Sequence, residues 1–109
     1  MIANADVTTG TYGKLVVGGD YTQKNYELDC ADGKVDITGN LNICGMDNEG
    51  TLVKGSSELF CNSETTISVG KNILIDTTGK MWTYVPTTYY HNIVAATVKL
   101  KGNLNDKRG

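Results

Sequence analysis

Residues 33–43 read GKVDITGNLNI, and the fold class can be inferred from this stretch. Apolar side chains occupy every second position on both sides of a central pair, Gly39 and Asn40. Alternation with a period of two is typical of a β-strand with one buried face, whereas an amphipathic helix needs a period near 3.6. Glycine and asparagine both tolerate a positive φ, so the pair predicts a corner between two short strands.

The same pattern recurs at three other places in the chain. The stretches are 15–21 (LVVGGDY), 67–73 (ISVGKNI) and 98–104 (VKLKGNL). Each reads apolar, any, apolar, any, glycine (once lysine), Asn or Asp, and then an apolar or aromatic residue. The Asn or Asp stands at positions 20, 40, 72 and 103, so the second and third steps are nearly equal and both are longer than the first.

The two long steps divide naturally into halves. Val53 follows Ile37 by half of a long step, and Leu59 follows Ile43 by the same interval. A unit this short cannot bury its apolar face alone, but stacked units place like residues about 4.8 Å apart in parallel sheets. The predicted fold is therefore all-β, a parallel β-solenoid (β-helix) with coils of about 16 residues and about six coils.

The alternation also predicts which side chains face the core. The inward set is Val35, Ile37, Leu41 and Ile43. The set that points outward or caps corners is Asp36, Thr38, Asn40 and Asn42. An antiparallel β-sandwich also has alternating strands, but it does not require one motif to recur at regular spacing, so it is the alternative.

Length and composition limit the function classes. The chain has 109 residues and a net charge of −2, with no cluster of lysine or arginine, which argues against nucleic-acid binding. No apolar run reaches the roughly 20 residues that span a bilayer. We predict one solenoid segment over residues 1–109, a fragment of a longer repeat array, because an open stack needs neighbouring repeats.

No catalytic, cofactor-binding or metal residues are predicted. The only histidine, His91, has no flanking motif that would pair it with a nucleophile. The carboxylate pairs Asp29/Asp32 and Asp47/Glu49 lack the spacing of a calcium loop. We expect them to be solvated turn charges.

The three cysteines do not form a recognised motif. The intervals between Cys30, Cys44 and Cys61 are long and unequal, and they match no zinc or redox signature. The prediction is three small buried thiols, and one disulfide with a spare cysteine is the alternative. Whether the three stack along one corner is open at this point.

Residues 81–92 (MWTYVPTTYYHN) interrupt the repeat. They contain the only tryptophan, proline and histidine of the chain and three of its six tyrosines. The simpler interpretation is an irregular coil whose aromatic side chains cover the core. The alternative is a loop that contacts a glycan or a protein partner, and its contact residues would be Trp82, Tyr84, Tyr89, Tyr90 and His91.

Residues 13–23 and 33–43 resemble the GxLxVxGDYxQ and GxLxIxGNLxI units of very large repetitive secreted and cell-surface proteins. Those proteins come from Gram-positive, often clostridial, bacteria. Residues 50–54, 67–72 and 96–104 are similar to their alternate units, although Lys71 stands where glycine is usual. The resemblance covers residues 10–105. A weaker resemblance is to the bactofilins, which repeat a related unit and polymerise end to end inside the cell.

The first resemblance implies a structural rod segment of a bacterial surface or secreted protein, similar in design to filamentous-haemagglutinin-type adhesins. The rod would present an adhesive or effector part located elsewhere in the parent chain, without enzymatic activity and without a cofactor. Its expected partners are neighbouring repeats of that chain, or other copies through end-to-end self-association. A glycan or host protein is the partner of an adhesin-type module, and a cytoplasmic filament is the alternative that the bactofilin resemblance implies.

Overall fold

The computed structural model describes residues 3–5, 9–10, 14–30, 33–61, 64–79, 81–83 and 97–107. These residues form short strands joined by turns and bends, and none of them lies in a helix. The all-β prediction is confirmed.

Thirteen of the strands form three parallel sheets. Sheet A contains β1 (Ala3–Ala5), β4 (Tyr21–Gln23), β7 (Leu41–Ile43), β12 (Ile73–Ile75) and β15 (Leu104–Asp106). Sheet B contains β2 (Thr9–Gly10), β5 (Glu27–Asp29), β10 (Glu58–Cys61) and β13 (Met81–Thr83). Sheet C contains β3 (Lys14–Val17), β6 (Lys34–Ile37), β11 (Thr66–Val69) and β14 (Thr97–Leu100). The remaining two strands, β8 (Gly45–Met46) and β9 (Leu52–Val53), form an antiparallel hairpin.

The chain visits the sheets in the fixed order A, B, C, and one such pass is called a circuit below. Each strand pairs with its counterpart in the next circuit in parallel register. In sheet C, for example, Ile67 lies opposite Val35 on one side and opposite Val98 on the other. Parallel pairing of this kind disagrees with the antiparallel sandwich that the alternation alone also allowed.

Apolar residues from all three sheets form one core. Strand β6 alternates between exposed and buried residues along its length, so Val35 and Ile37 are buried while Lys34 and Asp36 are exposed. The buried cluster consists of Val17, Tyr21, Leu28, Cys30, Val35, Ile37, Leu41, Ile43, Leu59, Cys61, Ile67, Val69, Ile73 and Ile75. The inward set predicted from residues 33–43 is confirmed.

The outward set is confirmed only in part. Asp36 and Thr38 are exposed and Asn40 is half-buried, but Asn42 is buried, and its Nδ2 donates to Thr22 Oγ1 at 3.1 Å. Thr22 is itself buried and accepts this bond, and the fully covered Thr65 Oγ1 donates to the Cys30 carbonyl at 2.7 Å. Threonine therefore serves the interior as well as the surface of this fold.

The expected 16-residue coil is wrong. Leu15 lies opposite Val35, Val35 opposite Ile67, and Ile67 opposite Val98, so each pairing spans a whole step of the repeat and none spans half of a long step. A long step is one circuit with an insertion rather than two short coils, and the described strands make four circuits instead of six.

The hairpin accounts for the first long step. Val53, expected one short coil after Ile37 in a stacked strand, pairs with Gly45 in the hairpin, and Leu59 pairs with Leu28. A hairpin strand has the same period of two as a stacked strand, so the spacing of apolar residues cannot distinguish them. The second long step contains residues 84–96, which lie outside the described residues.

Candidate functional site

The contact loop that the sequence suggested falls mostly outside the described residues. Tyr84, Tyr89, Tyr90 and His91 all lie there. The backbone of Trp82 is described, and it belongs to β13 at the edge of sheet B, opposite Phe60 of β10. The structure thus places only the start of this segment, on a regular strand.

The described surface has another feature, an uncovered edge formed by β14 and β15. These strands lie last in sheets C and A, so they pair with a neighbouring strand on one side only. Val98 and Leu100 are partly buried, whereas their counterparts Ile67 and Val69 are 0% and 2% exposed. Edge strands also carry main-chain N–H and C=O groups that face away from the sheet.

Leu104 is the most exposed apolar side chain of this edge. It is 43% exposed, while Ile73, directly opposite on β12, is 1% exposed. The two residues occupy the same inward position of sheet A in consecutive circuits. The difference follows from position in the stack, because Ile73 is covered by a further strand and Leu104 is not.

A ladder of side-chain amides runs along the corner between sheets C and A. The Asp20 carboxylate accepts from the Asn40 backbone N–H at 2.8 Å and from Asn40 Nδ2 at 3.1 Å. Asn40 Oδ1 then accepts from the Asn72 N–H at 3.0 Å, and Asn72 Oδ1 from the Asn103 N–H at 2.9 Å. In each step the side chain of one circuit holds the backbone of the next.

Asn103 is the last member of this ladder, and it is exposed beside the uncovered edge. In the three earlier steps the corresponding Oδ1 atom holds a backbone N–H. The Asn103 side chain therefore presents an amide where a further circuit would supply its next backbone N–H. The edge offers apolar contacts and polar contacts at the same time.

The glycine before Asn40 is required by the close approach of two circuits at this corner. A Cβ at Gly39 would clash with the Asp20 side chain and the Gly19 backbone. The Gly39 N–H donates to the Gly19 carbonyl at 2.8 Å, which draws the two backbones together. The predicted Gly-Asn corner between β6 and β7 is confirmed, but the expected positive φ is not found at Gly39 or Asn40, so close approach and not backbone conformation requires the glycine.

Two of the cysteines stack. The register of β5 and β10 continues past Asp29 and Phe60, so Cys30 lies opposite Cys61, and the Cys30 N–H donates to the Phe60 carbonyl at 2.8 Å. Cys44 lies apart from them, after β7 of sheet A. All three are buried thiols, in agreement with the prediction and not with the disulfide alternative.

The thiols are poorly suited to chemistry. Burial raises the pKa of the Cys61 thiol from 9.0 to about 12. Burial, with a smaller contribution from the charge of Asp76, raises the pKa of the Cys44 thiol to about 11. The thiolate is the nucleophile and the metal ligand, so both groups are held in their unreactive form near neutral pH.

Of the two carboxylate pairs, Asp47 has a structural role, whereas Asp29 belongs to strand β5 and is half-buried instead of being a solvated turn charge. One oxygen of Asp47 accepts from the Glu49 N–H and from the Thr51 N–H, both at 2.9 Å, and so holds the hairpin turn. Asp32 lies outside the described residues. Among the residues that the structure describes, no three His, Cys, Asp or Glu side chains are grouped as a metal site would require.

No family model, curated protein or solved structure matches this chain. Nor do the described residues include a helix long and apolar enough to span a membrane.

The stacking of Cys30 on Cys61 could have been predicted from the residues around them, although not from the intervals between the cysteines. Residues 27–30 read ELDC and residues 58–61 read ELFC, and the interval between the two matches the long steps of the Gly-Asn motif. The exposure of Leu104 had no such signal, because its sequence context is the same as that of covered residues such as Leu41.

Proposed function

We propose that this chain is a segment of a parallel β-solenoid rod in a bacterial surface or secreted protein. The rod has no catalytic activity and presents an adhesive or effector part carried elsewhere in the parent chain. Three features support the solenoid: the fixed order in which the chain visits three parallel sheets, the in-register rows and the single core between the sheets.

One observation carries the rod function, the uncovered edge of β14 and β15. Leu104 and the partly buried Val98 and Leu100 continue rows that are fully buried one circuit earlier. A further circuit in the same register would cover these side chains, pair the edge backbone and supply the next N–H to Asn103. A surface that is completed by more of the same repeat fits a segment within an array.

The partner that the edge would accept is therefore another repeat. In the parent protein it would be a neighbouring repeat of the same chain, and in the isolated chain it would be a second copy. Exposed parallel edges with apolar rows favour such pairing, because association buries apolar area and satisfies edge hydrogen bonds together.

The test is the oligomeric state of the isolated chain. Light scattering over a range of concentrations is expected to show self-association, and negative-stain microscopy to show rods of uniform width. Leu104→Lys places a charge in the uncovered row and is expected to raise the concentration needed for association by about tenfold or more.

Leu52→Lys is the matched control. Leu52 is 38% exposed, close to the value for Leu104, but it lies on the hairpin away from the edge. Its association is expected to equal that of the wild type. A chain that stays monomeric at every concentration, or two variants with equal effects, would contradict the proposal.

An intracellular filament is the second candidate, and the same uncovered edge supports it. The three free thiols favour this candidate, because cysteines stay reduced in the cytoplasm, whereas disulfides form in an oxidising extracellular environment. The two candidates differ in compartment and not in the physics of the stack. Fractionation of cells that express the parent gene separates them, since a filament remains in the cytoplasm and a surface rod does not.

A further inference from the structure

We infer that the outer face of sheet C binds an acidic saccharide, in a groove that the rod function does not use. The groove has a volume of about 710 Å³ and crosses β6, β11 and β14. Its outward-facing polar lining consists of Asp36, Thr38, Ser68, Gly70, Lys99 and Lys101.

The groove arises from the sizes of side chains in two adjacent rows. In the first row, Ser68 lies between Asp36 and Lys99 in register. In the second row, backbone hydrogen bonds from Gly70 to Ile37 and from Lys101 to Val69 place Gly70 between Thr38 and Lys101. The central strand thus carries the small residues, and the longer side chains of its neighbours form the two walls.

The floor cannot be filled by a larger residue without rearrangement. A Cβ at Gly70 would clash with the Thr38 carbonyl oxygen. The walls belong to strands that are two strand spacings apart, about 9.5 Å. A single sugar ring fits between walls at this separation.

The walls carry opposite charges. Lys99 and Lys101 form one wall, and Asp36 lies on the other. All three are exposed, and within the described part of the chain none of them takes part in an ion pair. The lysines are therefore available to bind an anion, and the carboxylate is available to accept hydrogen bonds.

This set of groups matches a sugar acid. Two ammonium groups bind a carboxylate of the ligand, while the Asp36 carboxylate and the hydroxyls of Ser68 and Thr38 exchange hydrogen bonds with sugar hydroxyls. An acidic peptide would satisfy only the lysines. Inside the groove its backbone would meet a sheet face, because the free edge of β14 points away from the groove, beyond the lysine wall. A saccharide is therefore favoured.

The probe is trigalacturonate, titrated into the full chain labelled with ¹⁵N. Amide shifts are expected at Ser68, Gly70 and Lys99, with weak affinity because the site is open to solvent. The methyl ester of the same trisaccharide keeps every hydroxyl and loses the charge. It is expected to bind about five- to tenfold more weakly.

Variants separate the two walls. The double variant Lys99→Ala/Lys101→Ala is expected to weaken trigalacturonate binding by about five- to tenfold. Lys107→Ala removes an exposed lysine that follows β15 of sheet A, outside this groove, and is expected to leave the affinity unchanged. Equal losses in both cases would mean that general positive charge attracts the ligand, which would overturn the proposal.

Asp36→Ala gives the sharpest distinction. If the groove binds any anion, removal of a nearby negative charge strengthens binding. If it binds sugar hydroxyls through Asp36, the same change weakens binding of trigalacturonate. Stronger binding in this variant, or equal shifts with a hexaglutamate peptide, would overturn the saccharide assignment. Both outcomes are independent of the association that tests the rod.

Discussion

Cys30 and Cys61 lie opposite each other on neighbouring parallel strands, joined by the hydrogen bond from the Cys30 N–H to the Phe60 carbonyl at 2.8 Å. Both side chains are fully buried in the core. They fill one row of sheet B as small apolar groups, in line with the behaviour of buried cysteine elsewhere. Two circuits of different length thus place the same residue type at the same point.

Because of the buried thiols, the free energy of unfolding is expected to decrease at alkaline pH. An unfolded cysteine ionises near 9.0, whereas the folded values for Cys44 and Cys61 are raised to about 11 and about 12. Above pH 9 the unfolded state therefore loses protons that the folded state keeps. The free energy of unfolding is expected to fall by about 1.4 kcal/mol per pH unit for each thiol, up to the folded pKa.

Denaturant unfolding at pH 8, 9, 10 and 11 measures this slope. The variant Cys61→Ala is expected to have a shallower slope than the wild type while it keeps the remaining contribution of Cys44. An identical slope in the variant would show that Cys61 does not carry the effect.

Truncation of the core row in sheet B is expected to be costly. Leu59 is 0% exposed and lies in register with Leu28 and Met81. Leu59→Ala is expected to lower the free energy of unfolding by about 2–5 kcal/mol, because a cavity remains inside a packed row. The control Leu52→Ala changes a hairpin leucine and is expected to cost about 1 kcal/mol or less. The denaturation midpoints of the two variants measure this difference. Comparable losses of stability in Leu59→Ala and Leu52→Ala would contradict the assignment of Leu59 to the core.

The amide ladder is expected to contribute measurably to stability. Asn40→Ala removes the side-chain bond to Asp20 and the acceptor of the Asn72 N–H, while the backbone N–H of residue 40 still donates to Asp20. A loss of about 1–3 kcal/mol is expected in denaturant unfolding. The control is Asn105→Ala, at an exposed position on the outer face of sheet A outside the ladder.

A charged variant tests the geometry of the same ladder. Asn40→Asp keeps an acceptor for Asn72 but brings a second carboxylate against Asp20. Its loss of stability is expected to exceed that of Asn40→Ala at low salt and to become smaller as added salt screens the repulsion between the two carboxylates. A loss that does not change with salt concentration would mean that the two side chains are not in contact.

The hairpin is expected to loosen independently of the stack. Asp47→Ala removes the acceptor for the Glu49 and Thr51 amides. Faster hydrogen exchange is expected at those two amides, with unchanged protection at Ile75 in the core and a global stability within about 1 kcal/mol of the wild type. Loss of protection at Ile75 would show that the hairpin supports the stack.

Much of the fold could be predicted from local pattern. The inward positions of residues 33–43 follow from the period of two, which the sequence states directly. The Gly39-Asn40 corner was placed correctly for a different reason, since neither residue adopts a positive φ and glycine is needed because Gly19 and Asp20 approach closely. Coil length was wrong because an inserted hairpin repeats the same alternation. The step from Val35 to Ile67 can be read as two short units or as one long one, and only strand pairing distinguishes them.

The candidate surfaces were harder to foresee. Lys99 and Asp36 are far apart in the chain and share a groove only because the circuits stack in register. Leu104 is exposed because its strand is the last described strand of sheet A, and a row position at the end of the stack has the same local sequence as one inside it. Both surfaces depend on which strands are neighbours in a sheet. The 16-residue coil predicted the wrong neighbours.

The connections between sheets A and B differ in length from circuit to circuit. Only residues 24–26 join β4 to β5, whereas the much longer segment 44–57 joins β7 to β10, and both pairs of strands stay in register. The position of a grafted peptide along the stack therefore depends on the circuit into which it is inserted. It does not depend on how many residues precede the insertion in the chain. An epitope inserted into the hairpin turn would be displayed at a defined height without altering the spacing of anything displayed farther along.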